Sequence, residues 1–230
     1  MKLLQVKDVF KIYPSRVFDI NVTALRGVSF EAAVGETICI IGPSGSGKST
    51  LLNILSGFEE PSAGFVQVEG LGVVHKFEKY KRIHFHRKFL GYVSQFSEQN
   101  LVMNWSVQQN LDLPFLLADE KKEKHYYRDR ITTLLEVFNL ERRTDTLAKN
   151  LSGGEAQKAA IATALVNQPA ILIADEPTGE LDSRGVESVM NCLIEANKID
   201  NTLIIVASHS KQVESFLSKT IEIKDGTIVA

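Results

Sequence analysis

Cysteine occurs twice and tryptophan once in 230 residues, and neither sign of charge prevails, with 28 Asp and Glu against 26 Lys and Arg for a net of −2. Each scarcity excludes something. Cys39 sits in the apolar run Thr37-Ile38-Cys39-Ile40-Ile41 and Cys192 in a helical pattern far downstream. No paired spacing points to a disulfide framework or a zinc site, so both are expected to be reduced packing residues. Balanced charge argues against a protein built chiefly to neutralise nucleic-acid phosphates, a task that usually leaves a strongly basic domain. No apolar run approaches the roughly 18–20 residues needed to span a bilayer as a helix, so any membrane role has to come through a partner. Met1 to Asp8 carry early charges and lack the apolar stretch of a secretory signal, and no secretion is expected. What is present is an ordinary soluble composition, 44% apolar and 23% charged. At roughly 100–200 residues per domain the length fits one large domain, or a core with a smaller lobe.

Leu3 to Val9 and Val28 to Glu31 alternate as strands do, with turns at Gly27 and Gly35, so the front section reads as β-rich. Thr37–Ile41 is a continuous apolar strand, followed by a glycine-rich stretch and then a helical pattern from Lys48 to Leu55. Ala170–Ala174 and Thr202–Ala207 are further apolar runs of strand length, separated by a helix starting near Ser183. Continuous apolar strands alternating with helices predict a buried parallel sheet. The middle differs: Trp105–Leu117 and Glu123–Leu140 have helical spacing, with Tyr127, Ile131, Leu134, Leu135 and Phe138 recurring every three or four residues. A helical lobe from about Gln95 to Val166 is therefore expected between core segments 1–94 and 167–230.

The strongest local signal is Gly42-Pro43-Ser44-Gly45-Ser46-Gly47-Lys48-Ser49-Thr50, which satisfies G-x-x-x-x-G-K-[ST] between a strand and a helix. Glycines let successive N–H groups curl into a phosphate-sized concavity, and the helix that follows presents its positive end to the same anion. Lys48 is expected at the β/γ-phosphates, the Ser49 hydroxyl on Mg²⁺ and Thr50 at the α-phosphate. A second signal is the strand Ile171-Leu172-Ile173-Ala174 ending in Asp175-Glu176, two carboxylates where a nucleotide site on a parallel sheet lies. Asp175 suits Mg²⁺, through water, and Glu176 suits polarisation of the water that attacks a γ-phosphate. A third, Leu151-Ser152-Gly153-Gly154-Glu155, opens a helix with two glycines and a hydroxyl. That is either a second anion-binding terminus or a helix cap with Ser152 as N-cap.

Gly42 to Thr50, Gln95, Leu151 to Glu155, Asp175-Glu176-Pro177, Leu181-Asp182 and His209 together resemble the nucleotide-binding subunit of an ATP-binding cassette (ABC) transporter, over nearly the whole chain. Asp175 to Asp182 further resembles the bacterial subgroup that serves lipoprotein release, macrolide or peptide export, and cell division. The resemblance implies an α/β P-loop NTPase (RecA-like) core with a β-rich nucleotide-binding subdomain and an inserted α-helical subdomain. It implies that Tyr13 stacks on adenine, a core tyrosine being the alternative. It places Gln95 at Mg²⁺ or the attacking water, His209 at the γ-phosphate, and Glu176, with Gln95, His209 and Lys48, in catalysis. Ser152, Gly153, Gly154 and Glu155 would bind the ATP of an opposite subunit, and Asp182 would lie in a loop crossing that interface. Cofactors are then ATP and Mg²⁺, and partners a homodimer or ABC heterodimer with a transmembrane permease. Nucleic acid is not expected. The location implied is cytoplasmic, peripheral on the inner face of the cell membrane. The chain departs from the family at Lys158 and Thr163, where arginines are common: lysine loses the planar fork, threonine the charge.

Two weaker features stay open. Lys76, Lys79, Lys81, Arg82, Arg87 and Lys88 cluster with Phe77, Tyr80, Phe85 and Phe89, as a nucleic-acid or anionic-membrane surface does, or as a solvated helix with an apolar underside. Leu101-Val102-Met103-Asn104-Trp105 falls where family members grip a membrane subunit, with Phe96 completing an apolar groove, or is core packing. His75, His84, His86 and His125 show no metal spacing and are given no role.

Overall fold

A computed structural model of the chain describes residues 1–14, 21–118 and 124–229. Two sheets organise it. The first is antiparallel, in the order β2 (Val22–Ala33), β1 (Lys2–Tyr13), β4 (Ala63–Val68), β5 (Gly72–Val73). The second runs β10 (Thr227–Ile228), β9 (Lys219–Lys224), β3 (Thr37–Ile41), β8 (Leu203–Ser208), β7 (Ile171–Asp175), β6 (Leu90–Val93). From β9 to β6 every pairing in it is parallel, and β10 returns antiparallel on the edge.

The unbroken apolar runs become intelligible once the two faces are separated, because neighbouring side chains on a strand point opposite ways. Ile38, Ile40, Ile171, Ile173, Leu203 and Ile205 join one core, with Leu4, Val6 and Val9 of β1 and Leu51 and Leu52 of α1 (Lys48–Leu55). Cys39, Leu172, Ala174, Ile204 and Val206, the residues in between, join the other. That second core contains Val107 and Leu111 of α3 (Val107–Leu116), Ile131 and Leu134 of α4 (Lys124–Val137), Ala159 and Ile161 of α5 (Gly153–Leu165), and Met190 and Leu193 of α6 (Ser183–Asp200). The helices inserted between β6 and β7 thus share one interior with a face of the central sheet. Both cysteines are buried and unpaired. Burial pushes the Cys39 thiol up to about 12, so it is inert at neutral pH.

Helix ends fall inside the expected ones for local reasons. The helix expected from Trp105 begins at Val107 because Ser106 is its N-cap, accepting from Gln109 N while the Gln109 side chain accepts from Ser106 N. That expected from Glu123 to Leu140 ends at Val137: Asn139 takes φ 55° and Leu140 N turns back to Leu135 O. Its start at Glu123 lies outside the described residues. The basic cluster forms α2 (Lys79–His84) and a wide helical turn at Phe85–Phe89; Phe77 and Phe85 are buried beneath, while Tyr80 is 85% exposed. Trp105 is half-exposed, and its carbonyl accepts from Ala148 N. α7 (Lys211–Glu214) is a single turn after β8. Among the described residues no helix is long and apolar enough to cross a membrane.

One buried ion pair fastens the inserted helices to the core. The Arg130 guanidinium of α4 donates to Asp200 at the end of α6 and, over 2.8 Å, to the carbonyl of Leu165. Both side chains are almost fully enclosed, at 6% and 4% exposure. Removing one partner of such a pair strands the other charge. Arg130→Met is therefore expected to cost about 3–5 kcal/mol and to lower Tm by on the order of 10 °C in calorimetry. Arg130→Met/Asp200→Leu should recover most of that loss; a double variant no better than the single one would refute the account.

Candidate functional site

The carboxyl ends of β3, β6, β7 and β8 point to one side of the parallel sheet, where ligands of open α/β sheets sit. There Ser44, Gly45, Gly47, Lys48, Ser49, Thr50, Gln95, Glu176 and His209, with Ala24 from β2, line an open cleft of about 570 Å³. Nine residues named from motifs scattered over more than 160 positions thus meet in one place, whereas no sequence signal points to Ala24.

The glycine loop is shaped by its backbone. Gly47, the residue before α1, has φ 106°, and a Cβ there would lie 2.5 Å from Ala24 O and 2.9 Å from Leu25 Cδ2. Gly45, at φ 78°, has nothing within 4 Å of the Cβ position and opens onto the cleft. Lys48 folds back under the loop, donating to Gly42 O at 2.8 Å and Pro43 O at 3.2 Å, with Nζ 4.0 Å from Glu176 Oε1. Gly42, Pro43 and Ser46 are not part of the cleft lining: Ser46 is buried, its N–H donates to Pro43 O and its Oγ has no partner. α3, α5 and α6 each have a side-chain cap, from Ser106, Ser152 and Asp182. α1 has none, and no acidic residue lies in its first turn. Its terminal N–H groups and the Lys48 ammonium therefore face a cleft suited to an anion.

At the end of β7 the two carboxylates diverge. Asp175 stays inside, within hydrogen-bonding reach of the Ser49 hydroxyl; burial raises its pKa despite that contact, and its Oδ1 has no partner. An orphaned carboxylate oxygen beside a hydroxyl is a hard-oxygen donor pair of the kind Mg²⁺ takes, with the remaining positions filled by water and phosphate. Among the described residues no group of three His, Cys, Asp or Glu could hold a metal alone. Removing the buried charge should relieve the fold. Asp175→Asn is expected to raise the Tm of the nucleotide-free protein by a few degrees while abolishing turnover. A Tm that falls would contradict it.

Glu176 adopts φ 47°, its N–H held by Ala207 O, so the chain kinks and the side chain enters the cleft. His209 Nδ1 lies 3.0 Å from its carboxylate. An ionised carboxylate only accepts, so that contact calls for the proton on Nδ1 and leaves Nε2 for a second partner. Gln95 sits on a loop that Asn100 ties together, its side chain bonding Ser94 N, Ser94 O and Phe96 O over 2.8–3.0 Å. A lone asparagine has no sequence signature, and this role was not legible.

Other expected residues lie apart. Tyr13 is outside the cleft lining, and its phenol donates to Glu59 Oε2 at 2.7 Å. Ser152 caps α5, and its N–H and hydroxyl both donate to Glu155 Oε2. Glu155 Oε1 accepts from Arg143 Nε at 2.7 Å, and the carboxyl is held below its ordinary range, first by the Ser152 N–H. Of this terminus, Glu155 borders a different cavity, together with Asn139, Glu141, Arg142 and Arg143. Gly153 is near Leu181, and Asp182 Oδ1 accepts from Gly185 N at 2.8 Å. Thr163 leaves its hydroxyl buried and unpartnered.

The family model described as ABC transporter matches residues 25–179. An uncharacterized ABC transporter ATP-binding protein of Methanocaldococcus jannaschii is 37% identical over 227 residues, 99% of this chain and 98% of its own length. The ABC transporter ATP-binding protein YxdL of Bacillus subtilis is 34% identical over 226 residues, 98% and 85% of the two chains. Among solved structures, the dimeric ABC transporter cassette MJ0796 superposes with a TM-score of 0.86 at 32% identity, covering 99% of this chain and 97% of that one. Its dimeric post-hydrolysis state bound to ADP and Pi gives 0.85. With an uncapped phosphate loop, the carboxylates at the end of β7 and relatives matched over nearly their full length, this chain belongs to the ABC transporter family, as one of its ATP-binding, ATP-hydrolysing cassettes.

Proposed function

We propose that two such cassettes, identical or paired with a related chain, close around two ATP molecules, each held between one chain's Gly42–Thr50 loop and the partner's Ser152, Gly153, Gly154 and Glu155. The observation that carries this is the separation of the two termini. The start of α1 lines the cleft, whereas none of Ser152, Gly153, Gly154 and Glu155 does and Glu155 borders another cavity, which supports giving the α5 terminus to the triphosphate of a second chain. Asp182, beside the α5 terminus through Leu181 and Gly185, lies in the same interface. Tyr13 stacks on the base, which its flat ring does whatever the base edges present.

On this reading Lys48 neutralises the β/γ-phosphates, Thr50 binds the α-phosphate, and Glu176 takes the proton of the attacking water while the His209 Nδ1–H holds its carboxylate. His209, when both ring nitrogens carry a proton, then donates from Nε2 to the γ-phosphate, and Gln95 orients the water. Ser49, Gln95 and, through water, Asp175 would hold Mg²⁺, which would supply charge neutralisation. Because phosphoryl transfer depends on positioning and charge stabilisation, a site divided between two chains makes closure a condition for turnover. Gln95 and the helical segment 95–166 pass that closure to a membrane permease on whose cytoplasmic face the cassette sits. Leu101 and Met103 pack inward, while Phe96, Val102 and Trp105 remain 37–40% exposed as the contact surface. The wording Asp175 to Asp182 favours export, extraction or mechanotransmission as the work done.

Phosphate release measured over a range of protein concentrations tests the sandwich. Specific activity should climb steeply with concentration, and should do so at lower concentration when the permease is added. Activity strictly proportional to protein down to high dilution, from a chain that light scattering shows to be monomeric, would overturn it.

A further inference from the structure

Where β1 ends, two residues on the same face of the strand converge on one carboxylate. Tyr13 Oη donates to Glu59 Oε2 at 2.7 Å, and Lys11 Nζ lies 2.9 Å from Glu59 Oε1 while donating to Glu60 O at 2.8 Å. The same ammonium stands 5.1 Å from the centroid of the Tyr13 ring. Two more bonds, Ile12 N to Ser62 Oγ and Ser62 N to Phe10 O, strap this strand end to residues 59–62. Glu59 is itself fixed to the phosphate-loop helix: its N–H and that of Phe58 both donate to Asn53 O, at 3.1 and 3.0 Å, closing the end of α1. Thr50, in the first turn of α1, is within hydrogen-bonding reach of the same phenol.

We propose that Glu59 is a positioning residue for nucleotide, holding the Tyr13 ring at a set distance from the phosphate loop so that base and phosphates are met in one register. Lys11 occupies one face of the ring, and on this reading the base takes the other. The inference rests on the reading that Tyr13 stacks on the base. Tyr13 is 36% exposed; without its tether the ring would sample other rotamers, and ordering it would fall on the binding step.

The test compares ATP with inorganic tripolyphosphate, which has no base, by titration calorimetry on the intact chain. Tyr13→Phe, which keeps the ring and loses the tether, and Glu59→Ala should each weaken ATP binding about three- to ten-fold, with tripolyphosphate affinity unchanged. Glu59→Gln keeps an acceptor for the phenol and should stay within about two-fold of the parent. ATP affinity unchanged in both Tyr13→Phe and Glu59→Ala overturns the proposal, as does an equal loss for the two ligands, which marks damage to the phosphate loop. Tyr13→Ala separates the layers: if it too leaves ATP affinity unchanged, stacking on Tyr13 fails; if it alone weakens binding, stacking stands and the tether fails.

Discussion

Glu176→Gln should bind ATP and fail to hydrolyse it, with phosphate release falling by about 10²–10⁴-fold, the span of general-base contributions. Glutamine has the same shape and still offers the His209 Nδ1–H an acceptor, so the hydrogen bond that aims the side chain survives. What disappears is the group that can take a proton from water. A negative charge also leaves the neighbourhood of Lys48, whose Nζ is 4.0 Å from the carboxylate, so an added triphosphate meets less repulsion and a freer ammonium. With turnover blocked and binding spared, the ATP-bound dimer should accumulate and be visible by light scattering. His209→Ala should then be a milder lesion, because it removes the orienting group and leaves the base. Phosphate release near the parent's in Glu176→Gln would transfer the proton acceptor to another residue.

Gly47→Ala should abolish nucleotide binding, with a loss above about 100-fold, whereas Gly45→Ala two residues away should lose far less. Both glycines have positive φ, at 106° and 78°, and that backbone strain alone costs on the order of 1–3 kcal/mol. They differ in what a methyl would meet. At Gly47 it would lie 2.5 Å from the carbonyl oxygen of Ala24, in a strand whose partners are fixed by the β1 ladder, and 2.9 Å from Leu25 Cδ2. At Gly45 it would meet nothing within 4 Å. In Gly47→Ala the loop has to lift away from β2, carrying with it the first N–H groups of α1. Titration with ATP or tripolyphosphate distinguishes the two variants. Equal losses would mean that φ, not the close approach of β2, sets the loop's shape.

The legible parts of this molecule are those whose signal is local. β3, α1, β7 and β8 could be found because an apolar run ends in residues of special chemistry. α1 spans Lys48–Leu55 as read, since Gly47 supplies the turn that begins it. The split of each apolar strand between two cores follows from alternation once the sheet is known to be parallel. Helix ends were less legible: Ser106 and Asn139 set them through a cap and a left-handed turn that periodicity does not register. Least legible were pairings of common residues far apart in the chain. Asn100 holding the Gln95 loop, Arg143 on Glu155, and Glu59 joining Tyr13 to the end of α1 look like ordinary surface polar residues until the fold brings them together. All the residues of the cleft but Ala24 were named from motifs, and the fold brings them together at the strand ends, while Ser152 to Glu155 stay out of its lining and Glu155 borders a separate cavity.

The half-exposed indole of Trp105 is the chain's sole tryptophan. It sits five residues beyond Asn100 and is linked to the approach to α5 through the Ala148 N–H on its carbonyl. Its fluorescence is therefore uncontaminated by any other indole, and emission excited at the red edge reports on one place only. A wavelength shift on adding ATP would time the response of that segment without a dye, and quenching by acrylamide before and after a permease is supplied would reveal whether it becomes covered. The molecule carries its own optical gauge at the seam between the nucleotide cleft and the inserted helices.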